Sequence, residues 1–235
     1  MKDWSNELPP YETQYATSSN EDMENCMEES LVHCIEMLQG NEMQYSPRAL
    51  AKLAGVTQQG SSRDQALDAV NTYGLIPYYL WPTPAQFDWN SYYAPIPESV
   101  LQQAIKVRVA TIPPNLKKSP LWTLLAFTGT NHAVAQINTT QYFDSELGSP
   151  VKTITEPILS QYSIQLTYPN MIIQSVKFAD GQTLGVMIDT PNGTQIIKAT
   201  DEAQWRSWSL PTSYSLPTVN PDGTTNWNAQ IQLPF

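Results

Sequence analysis

Cys26 opens the amphipathic stretch Asn25-Cys26-Met27-Glu28-Glu29-Ser30-Leu31-Val32-His33-Cys34-Ile35-Glu36-Met37-Leu38, and a second chemically able residue, His132, stands far downstream in Asn131-His132-Ala133-Val134. A thiol at the start of a helix meets unpaired backbone N–H groups and a partial positive charge, which favour thiolate over thiol. With a distant histidine to exchange protons, that pattern points to a cysteine nucleophile. Cys34 lies on the apolar stripe of the same stretch and reads as packing. His33, inside the helix, also reads as structural. If the stretch is helical, the two cysteines are ~12 Å apart along its axis, too far for a disulfide, so both thiols are expected to be free.

Positioning these groups requires definite elements. Met27, Leu31, Cys34, Ile35 and Leu38 recur at three- and four-residue spacing and Gly40-Asn41 can stop the run, which predicts a helix over about 25–39. Ser46-Pro47 is a cap followed by a first-turn proline, and Gly55 a stop. Ser62-Arg63-Asp64-Gln65 opens a third helix ended by Gly74, and a fourth is expected around 97–107. From Ser119-Pro120 onward the signal changes to short apolar runs: Leu121 to Phe127, His132 to Ile137, and Gln141 to Asp144. Met171 to Phe178, Thr183 to Asp189 and Thr194 to Ala199, separated by Asp180-Gly181 and Pro191-Asn192-Gly193, read as a β-meander. Trp205 and Trp208 read as packing for that meander. The remaining Pro-, Ser-, Thr- and Asn-rich tail carries a turn at Asn220-Pro221-Asp222-Gly223. The class is α+β, with a helical first half and a β-rich second half.

The 235 residues can build one domain with a sizeable core plus an appendage. A net charge of −10, with twelve Lys and Arg, argues against nucleic acid or an anionic membrane as the main partner. The polar start Met1-Lys2-Asp3-Trp4-Ser5-Asn6-Glu7 does not resemble a secretion signal, so a cytoplasmic or virion-associated location is expected. Two histidines and two cysteines do not complete a zinc ligand set, and neither metal nor organic cofactor is expected.

The ordered residues resemble the papain-like cysteine peptidases. In that family the nucleophile is followed nine and ten residues later by an apolar residue and a glutamate, here Ile35 and Glu36. Tyr45-Ser46-Pro47-Arg48-Ala49-Leu50 is similar to the family's next helix start, and Gln65 through Pro77 to its following helix and turn. Tyr79-Leu80-Trp81-Pro82 continues the match, and Asn131-His132-Ala133-Val134 is similar to the histidine-bearing strand. The resemblance, over about residues 15–160, is strongest to compact, divergent members of the kind found in phages and uncultivated bacteria.

Residues 1–20, with Pro9-Pro10 and a run of Thr, Ser and Asn, read as an extended lead-in; the resemblance implies a papain-like catalytic domain over 21–165, and the strand signals make 166–235 a β-rich extension. The resemblance also implies that Cys26 attacks a carbonyl as thiolate and His132 carries the proton. Asp144, in Tyr142-Phe143-Asp144-Ser145, takes the third place of the triad. Asn20, six residues before the cysteine where the family usually has glutamine, takes the side-chain place in the oxyanion hole. The implied partner is a polypeptide substrate, cleaved at a peptide or isopeptide bond. A second reading, from Glu28 and Glu29 beside the thiol, is a catalytically decayed protein of the same fold, such as a phage virion component. Its tail would lie along neighbouring subunits of a larger assembly.

Overall fold

The computed structural model describes residues 2–16, 19–40, 43–145 and 148–167, and beyond these a set of strands. By internal contact the chain divides into two compact units, residues 1–169 and 170–235.

In the first unit, helix α1 runs Cys26–Leu38, α2 Pro47–Ala54 and α3 Arg63–Tyr73, followed by the one-turn helices α4, Trp89–Tyr92, and α5, Glu98–Leu101. The caps explain the starts. Ser46 accepts a bond from the Ala49 N–H with Pro47 in the first turn, and Ser62 and Gln65 close a reciprocal capping box. Gly55 ends α2 in the left-handed conformation at φ 72°. Gly74 ends α3 at φ +86°, where an added Cβ would lie 2.4 Å from the Ile105 carbonyl oxygen, so only glycine fits this crossing.

The helix expected over 97–107 stops at Leu101. From there the chain turns and Ile105 exchanges two backbone hydrogen bonds with Leu75, at 2.8 and 2.9 Å, which commits to a bridge the groups a longer helix would have used. Val107 and Val109 are buried while Lys106 and Arg108 are exposed, a period of two that the helical reading passed over. This stretch leads into β1, Arg108–Ile112.

Strands β2 (Leu121–Phe127), β3 (Thr130–Gln136) and β4 (Gln141–Phe143) form where expected, with β5 (Val151–Thr153) and β6 (Ile158–Thr167) in addition. All six pair antiparallel in the order β1-β6-β2-β3-β4-β5. Helix α1 packs against β2, β3 and β6 on one side and α2 and α3 on the other. Every residue from Glu28 to Met37 is therefore buried, polar ones included, whereas the sequence pattern suggested a single apolar stripe. The core joins Leu31, Val32 and Ile35 to Trp122, Ala135, Ile137, Phe143 and Ile164. The amino-terminal segment belongs to it as well: Trp4 is buried, its indole N–H donating to the Leu116 carbonyl at 2.9 Å and its backbone N–H to Ile137 at 3.0 Å.

In the second unit β7 (Gln174–Lys177), β8 (Leu184–Thr190) and β9 (Gly193–Lys198) form an antiparallel meander, and β10 (Ser213–Val219) pairs with β11 (Thr225–Gln232) as a second two-stranded sheet. The turns expected at Asp180-Gly181, Pro191-Asn192 and Asn220 to Gly223, and Trp205 and Trp208, lie outside the described residues. Among the described residues no helix is long and apolar enough to cross a membrane.

Candidate active site

Cys26 is the first residue of α1 and is half-buried. Its helix begins without a side-chain cap: the Asn25 carbonyl accepts from the Glu28 and Glu29 N–H groups, while the Asn25 amide is turned to Glu29 and Tyr92. The donor-rich end of α1 is thus built around the thiol.

His132 lies in β3, paired with Leu125 on β2, and its ring meets Phe127 edge-on at 5.8 Å between centroids. Asp144 immediately follows β4, the strand paired with β3 through Ala135 and Phe143, so strand register brings the two side chains together. His132 Nε2 and Asp144 Oδ1 are 2.7 Å apart, both groups buried, and the imidazole also makes a side-chain hydrogen bond with Cys26. Burial opposes a charged imidazole. The hydrogen bonds and charges of Asp144 and Cys26 outweigh it and raise His132 to about 10. Burial likewise would raise the Asp144 carboxyl, but His132 and then Lys152 hold it below its ordinary value. Lys152 Nζ is 2.8 Å from Asp144 Oδ2.

The Asn20 side chain makes no hydrogen bond to Cys26, His132 or Asp144. The residue is exposed on the turn of a short hairpin, at φ 57°, where Ala16 N–H donates to Glu21 and Asn20 N–H to Ala16. Gln14, in the same segment, is buried and committed: its amide N–H donates to Asp22 at 2.9 Å and its oxygen accepts from the Ser145 hydroxyl at 2.9 Å. This tie fastens the segment entering α1 to the residue after Asp144.

Glu28 and Glu29 are both buried. Burial raises Glu28 to about 7, against a 2.6 Å hydrogen bond from the Ser61 hydroxyl, and raises Glu29 well above the carboxylate range. Burial thus favours the uncharged acid at both positions, and below about pH 7 Glu28 places little negative charge beside the thiol. Burial also lowers His33 to about 4, so at neutral pH its imidazole is uncharged and its 3.7 Å approach to Glu29 is not an ion pair. Cys34 is fully buried, and burial pushes its thiol far up, as expected of packing. Among the described residues no cluster of three or more His, Cys, Asp or Glu could hold a metal ion.

Lys152 was not visible as a site residue in the sequence: only the alternation of Val151-Lys152-Thr153 on a strand facing Asp144 would have indicated it. Glu24, in the loop before α1 at φ 55°, is close enough to His132 for their charges to interact, a proximity no local sequence pattern signals.

No protein-family model matches the chain, and no curated protein matches it. Among solved structures, it is similar to a cysteine protease of Carica candamarcensis, with 15% sequence identity and a TM-score of 0.47 over 70% of this chain and 96% of that one.

Proposed function

We propose that this protein is a papain-like thiol peptidase acting through Cys26, His132 and Asp144. The observation that carries the reading is the continuous line from a helix-opening thiol to an imidazole to a buried carboxylate, closed by the 2.7 Å contact at Nε2. With Nε2 turned to Asp144, the other ring nitrogen serves the sulfur.

In the reaction Cys26 Sγ, as thiolate, adds to the substrate carbonyl carbon. The tetrahedral oxyanion rests against the Cys26 backbone N–H, free by its place in the first helical turn. His132 gives its proton to the departing amine nitrogen as the C–N bond breaks, leaving a thioester. Water then attacks the thioester, His132 takes one of its protons, and the acid leaves as the thiolate–imidazolium pair re-forms. Asp144 holds the ring in line throughout.

The test is labelling with a thiol-directed peptide electrophile. Cys26→Ala is expected to abolish labelling and Cys34→Ala to leave it intact; labelling that persists in Cys26→Ala overturns the assignment. Parallel digestion of casein and purified peptidoglycan separates a protein from a cell-wall substrate.

Asn20, six residues before Cys26, is put forward as the second oxyanion donor on the family's spacing alone, from the exposed turn that leads into α1. Asn20→Ala is then expected to lower kcat about a hundredfold with little change in KM. A loss under about threefold would move that role to another donor.

A further inference from the structure

Among the described residues each oxygen of Asp144 has a partner, His132 on Oδ1 and, on Oδ2, the cation Lys152. Lys152 lies on β5, which pairs with β4 through Tyr142↔Lys152, and the Asp144 backbone N–H donates to Pro150 at 2.9 Å just before that strand. Strand pairing therefore delivers the ammonium to the face of the carboxylate opposite the imidazole, at 2.8 Å, while the Asp144 side chain itself is fully buried. Each carboxylate oxygen thus has its own donor, and the carboxylate's charge is shared between two cations rather than committed to one.

We propose that Lys152 is a positioning residue that sets the proton affinity of His132 through Asp144, and through it the pH range in which the thiolate–imidazolium pair exists. This rests on the peptidase reading of the Cys26 site. A buried carboxylate paired with histidine alone would bind the imidazolium so strongly that the proton would be surrendered reluctantly to a leaving amine. A cation on the far oxygen weakens that hold. It also repels the imidazolium directly, so both effects act in one direction: Lys152 lowers the proton affinity of His132. Among the described residues, the other charged or titratable groups facing the pair are Cys26 and His33 from α1, Glu24 from the segment before it, and Glu156 toward Lys152. Among these, none supplies a second cation on Asp144 while His33 is neutral.

The test follows the His132 ring by NMR in carbon-13 histidine-labelled protein, a measurement simplified by there being only two histidines. Lys152→Met is expected to move the His132 midpoint up by about half a pH unit or more, Lys152→Arg to leave it near the parent value, and Lys152→Gln, which keeps a donor on Oδ2 without charge, to move it up like Met. If alkaline unfolding truncates a curve, the imidazolium fraction of the folded protein at pH 9 is compared instead, and it should be higher in Met and Gln. A purely structural clamp would reduce stability in all three without this ordering. An unchanged or lowered midpoint in both Met and Gln overturns the proposal. The readout needs no turnover: a midpoint that moves in a protein whose Cys26 fails to label sinks the peptidase reading and keeps this one, and the reverse outcome does the opposite.

Discussion

Urea midpoints of the folded protein are expected to fall steadily as pH is raised from 5 to 8. The cause is a layer of glutamates around α1, three of them buried and Glu12 partly so. Burial raises Glu12 to about 7, Glu28 to about 7, Glu36 to about 8 and Glu29 well above its ordinary value. The unfolded chain releases these protons near pH 4.5 while the folded chain keeps them. Across the interval from about 4.5 to each folded value, stability therefore declines with rising pH, by about 1.4 kcal/mol per pH unit for each group fully in that regime. His132 adds to the alkaline loss: its proton is held more tightly in the folded state, so its contribution is complete below pH 6.5 and lost as pH rises through about 10. Two groups act in the other direction. His33, lowered to about 4, costs stability as pH falls from 6.5, and the contribution of Asp144, whose value is lowered, is lost as pH falls through its folded value, below 3.8. Four glutamates outweigh one histidine between pH 5 and 6.5, which puts the optimum on the acid side of neutrality. Glu36→Gln, which keeps the acceptor for the Tyr45 N–H at 2.7 Å, is expected to flatten the decline. A midpoint that is constant or rises from pH 5 to 8 would show that these carboxyls ionise in the folded chain without penalty.

The same burial marks the limit of what the residues reveal in order. The spacing of Met27, Leu31, Cys34, Ile35 and Leu38 located α1, and Ser46-Pro47 and Ser62 to Gln65 located the starts of α2 and α3, because caps and apolar periods are local signals. Nothing local tells that Glu28, Glu29 and Glu36 are also inside; that follows from α1 being covered by sheet, helices and the Trp4 segment together. The helix expected at 97–107 failed where a long-range bridge, Leu75 with Ile105, displaced a helical preference. Strand β6 went unread although Ile164 and Leu166 alternate with Ser163 and Gln165, because its place between β1 and β2 is a property of the sheet order. Of the proposed site, Cys26 and His132 are candidates by residue type and position alone. The third partner came from a resemblance, and Lys152 only from the pairing of β4 with β5.

Asp144→Ala is expected to reduce kcat/KM by about 10³- to 10⁴-fold, less than the loss of Cys26 or His132 themselves. Two losses combine. Without Oδ1 at 2.7 Å the His132 ring has no acceptor fixing Nε2, so the other nitrogen no longer stays aimed at Cys26. Without the carboxylate charge, burial is opposed by less, and the His132 proton affinity falls from its raised value, which lowers the share of imidazolium. Asp144→Asn separates the two, since the amide oxygen can still accept from Nε2 while the charge is gone. It should recover most of the orientation, and with it most of the activity, while its His132 midpoint remains lowered. Neither change should unfold the chain. The Asp144 N–H bond to Pro150 is made by backbone, and Lys152, with its side chain about a quarter exposed, can turn its ammonium to water. If Asp144→Ala retained parent kcat/KM with a folded structure, the carboxylate would be a packing element and the site a two-residue device. If Asn and Ala were equally impaired, charge rather than orientation would be what the third residue contributes.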